Sequence, residues 1–328
     1  MTALASGAAD VGAVGFRSLE IASADGPDLV AGLWYPSDAP VPTEPNTEYG
    51  LAVALGGAPA PGNGRLVVIS HGQGGWYGGH ADTAIALADA GFTVAAPSHA
   101  GDTWSDRSAP VERWILSRPV DVSRAVDRVL DDPSVGAALD PDRVGVYGFS
   151  AGGYTALALV GAVPDLDAAA AHCRAAPHEL VCREGMVDAL LGAGLERLPK
   201  AAFGADARVR AAAVAAPGFG FAFTRESLAG VDAAIRLWSG ELDERVPTAS
   251  NAAAVAERLP SRPTLHRVAG ANHFAFLMVP CREAFRRADP EGYERVCTDV
   301  PGFDRHAFHD RMHAEMVRFF EHVLDLGR

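Results

Sequence analysis

The sequence has no run of about 18 apolar residues, the length a helix needs to cross a bilayer, so no membrane span is predicted. Positive charge is scarce. Twenty-eight Lys and Arg stand against 41 Asp and Glu, leaving -13 at pH 7. That balance argues against nucleic acid and anionic membrane surfaces as partners. Only four cysteines occur among 328 residues and none sits in a C-x-x-C spacing, which argues against zinc. No basic residue precedes Arg17 and no sustained apolar core lies near the start, so no secretory signal is read and a cytoplasmic protein with reduced thiols is expected. The cysteine spacings support an alternative. Cys173 and Cys182 lie nine apart and Cys281 and Cys297 sixteen apart. Two local disulfides would suit a periplasmic or secreted protein whose leader had been removed.

What is present is apolar substance and glycine in the right places. An apolar share of 48% and a length of 328 residues are enough for one α/β unit with an inserted lid. The chain is organised around 143–159, RVGVYGFSAGGYTALAL, in which Gly148-Phe149-Ser150-Ala151-Gly152 follows a β-rich segment at 144–147 and precedes an Ala/Leu helical run. Strand, G-x-S-x-G and helix in that order is the context of a nucleophile elbow. The turn is so sharp that the residues two before and two after the serine must lack bulk. Ser150 is the candidate nucleophile. The Ala151 N–H, at a helix N-terminus, is a candidate donor to a developing oxyanion.

Taken in order, two strands at 16–22 and 29–35 are expected to form a hairpin through a turn at 25–28, and the Pro/Gly/Ala-rich stretch 36–63 reads as a long surface connection. The segment 65–70, RLVVIS, reads as a central parallel strand. Helical composition at 82–90, a strand at 92–96, and a helix at 118–130 with Val120, Val122, Ala125, Val126 and Val129 on its buried face continue the alternation. It stops at 163–204. Strands at 209–215, 234–238 and 264–268 and a helix at 248–259 resume it. The fold class expected is therefore α/β, a mostly parallel twisted sheet flanked by helices, with an N-terminal antiparallel hairpin and an inserted, mainly helical cap. The division is 1–162 core, 163–204 cap and 205–328 core.

In such a sheet the site lies at the carboxyl ends of the strands. His71-Gly72-Gln73-Gly74-Gly75 leaves the strand at 65–70, and a glycine-rich loop there can turn backbone N–H groups toward an oxyanion. Gln73 is the second donor expected, with His71 shaping the loop. Trp76 and Tyr77 are candidates for the substrate pocket, packing being the alternative. The loop 239–247, SGELDERVP, offers Asp243 as the acid that orients a histidine, with Glu241 and Glu244 as rivals. His273, thirty residues on, completes the chain order Ser, Asp, His and is the candidate base. His99 is placed near the pocket mouth without a chemical role. His306, His309 and His313 fall at helical spacing, and a partly exposed histidine face is expected there rather than a metal site.

The strings LWYP, ISHGQGG, GFSAGGYTAL, GELDERVP and GANHFAF together resemble the α/β hydrolases, and within them bacterial proteins like dienelactone hydrolases and platelet-activating-factor acetylhydrolases. The resemblance runs from about Gly15 onward. It implies Ser150 as nucleophile, Asp243 as acid, His273 as base, and the N–H groups of Gln73 and Ala151 as the oxyanion hole. True dienelactone hydrolases carry a cysteine where this elbow has serine, which argues against dienelactone itself. The activity implied is hydrolysis of small to medium esters through an acyl-enzyme, with no cofactor and a small-molecule ester as the partner. An acyltransferase, lactonase or peptidase using the same three residues is the alternative. A dehalogenase or epoxide hydrolase would carry aspartate at 150.

Overall fold

The computed structural model describes residues 13–23, 26–278 and 281–325. Its strands are β1 (Ala13–Ile21), β2 (Leu29–Ser37), β3 (Ala54–Leu55), β4 (Leu66–Ser70), β5 (Thr93–Pro97), β6 (Val144–Phe149), β7 (Val209–Ala215), β8 (Ala234–Gly240) and β9 (Leu265–Val268). They form one sheet in the order β3-β1-β2-β5-β4-β6-β7-β8-β9. The pairs from β5 through β9 are all parallel, while β1 and β2 pair antiparallel and β2 joins β5 antiparallel. The hairpin is as expected; part of its turn, at 24–25, lies outside the described residues.

Side chains alternate across a strand, and the two cores show it. Leu66 and Val68 of β4 enter one core with Val144 and Val146 of β6, whereas Val67 and Ile69 enter the other with Tyr147 and Phe149. The first core is covered by α2 (Val111–Leu130) and α3 (Ala151–Leu159), the second by α1 (Ala81–Asp89) and α11 (Arg305–Asp325). All nine residues of α3 are buried, so its mostly apolar sequence, with no charged residue, follows from having no solvent face.

Segment 163–204 is helical, as expected, with α4 (Leu166–Ala175), α5 (Leu180–Arg183), α6 (Met186–Gly192) and two short 3₁₀ turns. Its Val181, Val187, Leu190 and Leu195 join the core under α2. After β7 come α7 (Arg225–Leu228), α8 (Ala252–Arg258), α9 (Glu283–Ala288) and α10 (Pro290–Cys297). The cysteines form two disulfides, Cys173–Cys182 within the helical segment and Cys281–Cys297 across α9 and α10. Reduced thiols were one of the two expectations; the paired arrangement is the one found. Among the described residues no helix is long and apolar enough to cross a membrane.

Three expectations need correction. Helix α2 starts at Val111, seven residues before the predicted start, and buries Trp114 and Ile115 as well. Val120 is 49% exposed rather than buried, because it lies two residues, or about 200° of helix, from the buried Arg118. The 36–63 connection is not wholly a surface loop, since it carries β3 and fully buries Tyr49 and Val53 against Phe16 and Trp34.

Candidate active site

The elbow is built by close approach of backbone. Ser150 caps α3 with φ 55 and ψ -115, a left-handed conformation that non-glycine residues seldom adopt. A methyl group on Gly148 would lie 2.0 Å from the Gly152 carbonyl oxygen, and one on Gly152 would lie 1.9 Å from that of Ser70. Both glycines are thus required by the turn, and no larger residue fits without moving β4 or α3. The strained serine is locked by its own backbone: its N–H donates to Ala215 O at 2.9 Å, and its carbonyl accepts from Tyr154 at 3.1 Å and Gly218 at 2.9 Å.

The parallel strands bring the other two residues to the same edge. Asp243 follows β8 and His273 follows β9, inside a 3₁₀ turn at His273–Phe276. His273 Nδ1 lies 2.7 Å from Asp243 Oδ2, and Nε2 lies 3.1 Å from Ser150 Oγ. Both partners of the histidine are held independently. Asp243 is 5% exposed and its Oδ1 accepts the backbone N–H groups of Arg245 at 3.0 Å and Val246 at 2.8 Å. The imidazole packs 4.9 Å from the Phe149 ring, and Met278 N–H donates to Gly79 O at 3.1 Å, tying this turn to the loop after β4. The rival Glu241 is exposed and accepts instead from Gly270 N–H at 3.3 Å, and Glu244 is exposed. An imidazole so placed can take the serine proton through Nε2, with the carboxylate fixing the tautomer and stabilising the imidazolium.

The loop after β4 passes beside the serine: a methyl on Gly72 would meet Ser150 Cβ at 3.4 Å. Gln73 sits exposed at the tip of a turn closed by Gly75 N–H to Gly72 O at 3.0 Å. Its N–H has no acceptor among the described residues. Ala151, as first residue of α3, has an N–H with no partner inside the helix. His71 shapes the loop, as expected: Nδ1 donates to Gly72 O at 2.7 Å and Nε2 accepts from His99 N–H at 3.1 Å. Burial, with the neighbouring His99 and Arg118 charges, pushes the His71 imidazole well below its ordinary range, so it is neutral. His99 is not at the pocket mouth. It is fully buried beneath the loop, bonded to Ser70 Oγ at 2.9 Å and Asp121 at 3.0 Å. Trp76 and Tyr77 pack against each other and onto the cluster of Phe16, Trp34 and Tyr49, and the Tyr77 hydroxyl bonds Glu48.

Among the described residues one group has the chemistry to hold a cation, Asp82 with His309 and His313, donor atoms within 4.8 Å of one another. His306 is exposed, His313 half-buried and His309 buried, so the histidine face is partly exposed, as expected, with His309 alone turned fully inward. The group is bonded internally. His309 Nδ1 reaches Asp82 at 2.6 Å and its Nε2 reaches Ala275 O at 2.8 Å, and His313 meets Thr83 Oγ1 at 3.0 Å. Burial would raise the Asp82 carboxyl, but His309 outweighs it and holds Asp82 well below the usual carboxylate range. Through Ala275, these bonds tie α1 and α11 to the turn that carries His273.

A family model described as alpha/beta hydrolase fold matches residues 65–180. A solved structure titled a ferulic acid esterase from Streptomyces cinnamoneus superposes with TM-score 0.61 at 19% identity, over 99% of this chain and 93% of that one. The chain has the α/β-hydrolase fold. No curated protein matches the sequence. Residues 65–180 span the strand before Gln73, the elbow and α2. Arg118 and Asp102, buried under the Gln73 loop, are functional candidates that the sequence reading does not single out; for Arg118 the one available clue is a charged residue at a buried helix phase, flanked by Trp114, Ile115 and Val122.

Proposed function

We propose that the protein is a serine carboxylic-ester hydrolase that works through an acyl-enzyme on small to medium esters. The observation that carries this reading is the continuous chain of contacts from Asp243 through His273 to Ser150 Oγ, at 2.7 Å and 3.1 Å, with Ser150 only half-buried. Ser150 Oγ attacks the ester carbonyl while His273 Nε2 takes its proton, and the oxyanion rests on the N–H groups of Gln73 and Ala151. His273 then protonates the leaving alcohol, and water repeats the sequence on the acyl-enzyme. Removal of one oxyanion donor is worth on the order of 10²–10³ in turnover. The ester-cleaving activity named for the structural neighbour agrees with this chemistry. The finer assignment, to esterases like the dienelactone hydrolases and platelet-activating-factor acetylhydrolases, rests on the motifs quoted above.

In this reading the 163–204 helices act as a cap that selects substrate and excludes water. Glu179, between α4 and α5, accepts from Ser250 on the loop that follows Asp243 at 3.0 Å, which links the segment to the site. The two disulfides favour an oxidising compartment. The test is Ser150→Ala assayed on a short p-nitrophenyl ester: hydrolysis is lost while the melting transition persists. Turnover at the parental rate in that variant would refute the assignment.

A further inference from the structure

Beneath the Gln73 loop lies a charge that the acyl-transfer scheme does not use. Arg118 is fully buried. Its Nη1 donates to His71 O at 2.6 Å and its Nη2 to Gly72 O at 3.1 Å, while Nε and Nη2 both reach Asp102 Oδ2, at 2.9 Å and 2.7 Å. The other oxygen of Asp102 accepts the Gly74 N–H at 2.9 Å. The ion pair therefore grips the loop on both sides of Gln73, at the carbonyl before it and the N–H after it.

Peptide geometry turns that grip into a direction. In a planar trans peptide the carbonyl and the N–H point opposite ways. The Gly72 carbonyl oxygen is drawn inward by three donors, Arg118 Nη2 at 3.1 Å, His71 Nδ1 at 2.7 Å and Gly75 N–H at 3.0 Å. The N–H of the same peptide unit, that of Gln73, is thereby turned outward, where it has no acceptor among the described residues. The planar, forked guanidinium suits this task, since it holds two carbonyls and a carboxylate at once; a lysine ammonium is a single point. A buried ion pair is weak evidence for stability, because apolar residues of like volume often serve the fold as well.

We propose that Arg118, locked by Asp102, is a positioning residue of the oxyanion site, fixing the direction in which the Gln73 N–H points. The inference rests on the ester-hydrolase reading. In the Arg118→Lys variant kcat on a short p-nitrophenyl ester is expected to fall on the order of 10²-fold with KM nearly unchanged, as for the loss of one oxyanion donor. The affinity for phenylboronic acid should weaken by a like factor. That probe forms a tetrahedral adduct, Ser150 Oγ bonding to boron as its proton passes to His273, so it reports on the oxyanion site and not on the amount of folded protein. Arg118→Met should give the same pattern. If the Arg118 variants do not fold, Asp102→Asn, which leaves the arginine but removes the charge that orients it, is expected to show the same split between kcat and KM. Parental kcat in any folded variant, or a fall in kcat with boronate affinity intact, would overturn the inference. Ser150→Ala separates the two levels. Activity retained in it sinks the ester-hydrolase reading, whereas its inactivity beside a fully active Arg118→Lys sinks this inference alone.

Discussion

Replacing Gly152 with alanine tests why the elbow has its sequence. The added methyl would stand 1.9 Å from Ser70 O, 2.6 Å from Ser70 C and 2.8 Å from His71 O, where ordinary contact begins at 3.4 Å. Relief requires α3 to retreat from β4 by the difference, about 1.5 Å, and the obstructing atoms are backbone that cannot rotate away. Ser70 is paired in register with Gly148 across β4 and β6, so the strand cannot shift without losing ladder contacts. Overpacking of this kind costs about 1–3 kcal/mol, with the upper end apt for a clash with backbone. Relief of glycine's entropy in a helix returns up to about 1 kcal/mol, leaving a net loss of about 2 kcal/mol. By the scaling for large domains, about 2–4 °C per kcal/mol, the melting temperature should drop by roughly 5 °C. Activity should fall further than stability, on the order of 10²-fold, because moving a reacting group by about 1 Å costs that much in rate. Gly192→Ala is the control: Gly192 is exposed at the end of α6, with nothing within 4 Å of the new methyl. It should gain a few tenths of a kcal/mol, up to about 1. Calorimetry and ester turnover on both variants decide the matter. A Gly152→Ala protein that melts and turns over like the parent would refute the steric account of the elbow.

Two further outcomes follow from groups away from the nucleophile. Burial pushes the His80 imidazole down to about 4, with Asp82 opposing only in part. Since an unfolded histidine titrates near 6.5, the unfolded chain binds more protons between these values. The contribution of His80 is therefore complete above about pH 6.5 and is lost as pH falls toward 4, by roughly 3 kcal/mol. His71 is lowered in the same direction, while the buried His99–Asp121 pair partly cancels itself, its imidazole lowered and its carboxyl raised to about 7 by burial. Melting temperature should thus decline steadily from pH 7 to pH 4, and a flat profile, or one rising toward acid, would contradict the burial of His80 and His71. The disulfides close loops of 9 and 16 residues, worth roughly 3 kcal/mol each in chain entropy. Reduction should lower the melting temperature clearly, and mass spectrometry of the alkylated, unreduced protein should find no free thiol; four alkylated cysteines would refute the pairing.

How much of this was legible in the sequence depended on how local the constraint was. The elbow announced itself because G-x-S-x-G between a strand and a helix is a local pattern, although only Gly148 is demanded by a contact within a few residues and Gly152 answers to Ser70 and His71 at the end of β4; short β-branched runs such as 66–70 favour a strand covered on both faces. Asp243 and His273 were legible because each follows a strand end by a few residues, so the topology of a parallel sheet brings them to Ser150 with no long-range information. What failed to show was whatever depends on a partner remote in the chain. Along α2 the expected face holds at Val122, Ala125, Val126 and Val129, but its first turns and Val120 differ because Pro119 and the buried Arg118 break the apolar pattern, and the reason for Arg118 is a set of carbonyls some 46 residues away in sequence. Asp82 meeting His309 across 227 residues is the same case: nothing near either residue specifies the other. The burial of His99 is hidden from the sequence for a related reason, since it is fixed by Ser70 and Asp121 on different elements. The contrast has a physical root. Apolar periodicity and glycine sterics report a residue's own surroundings, whereas a buried polar side chain is tolerated only where distant groups satisfy it. Polar residues that interrupt a buried face are therefore where a chain of this fold conceals what positions its chemistry, and Arg118 is the instance here, whose replacement should be read in turnover as well as in stability.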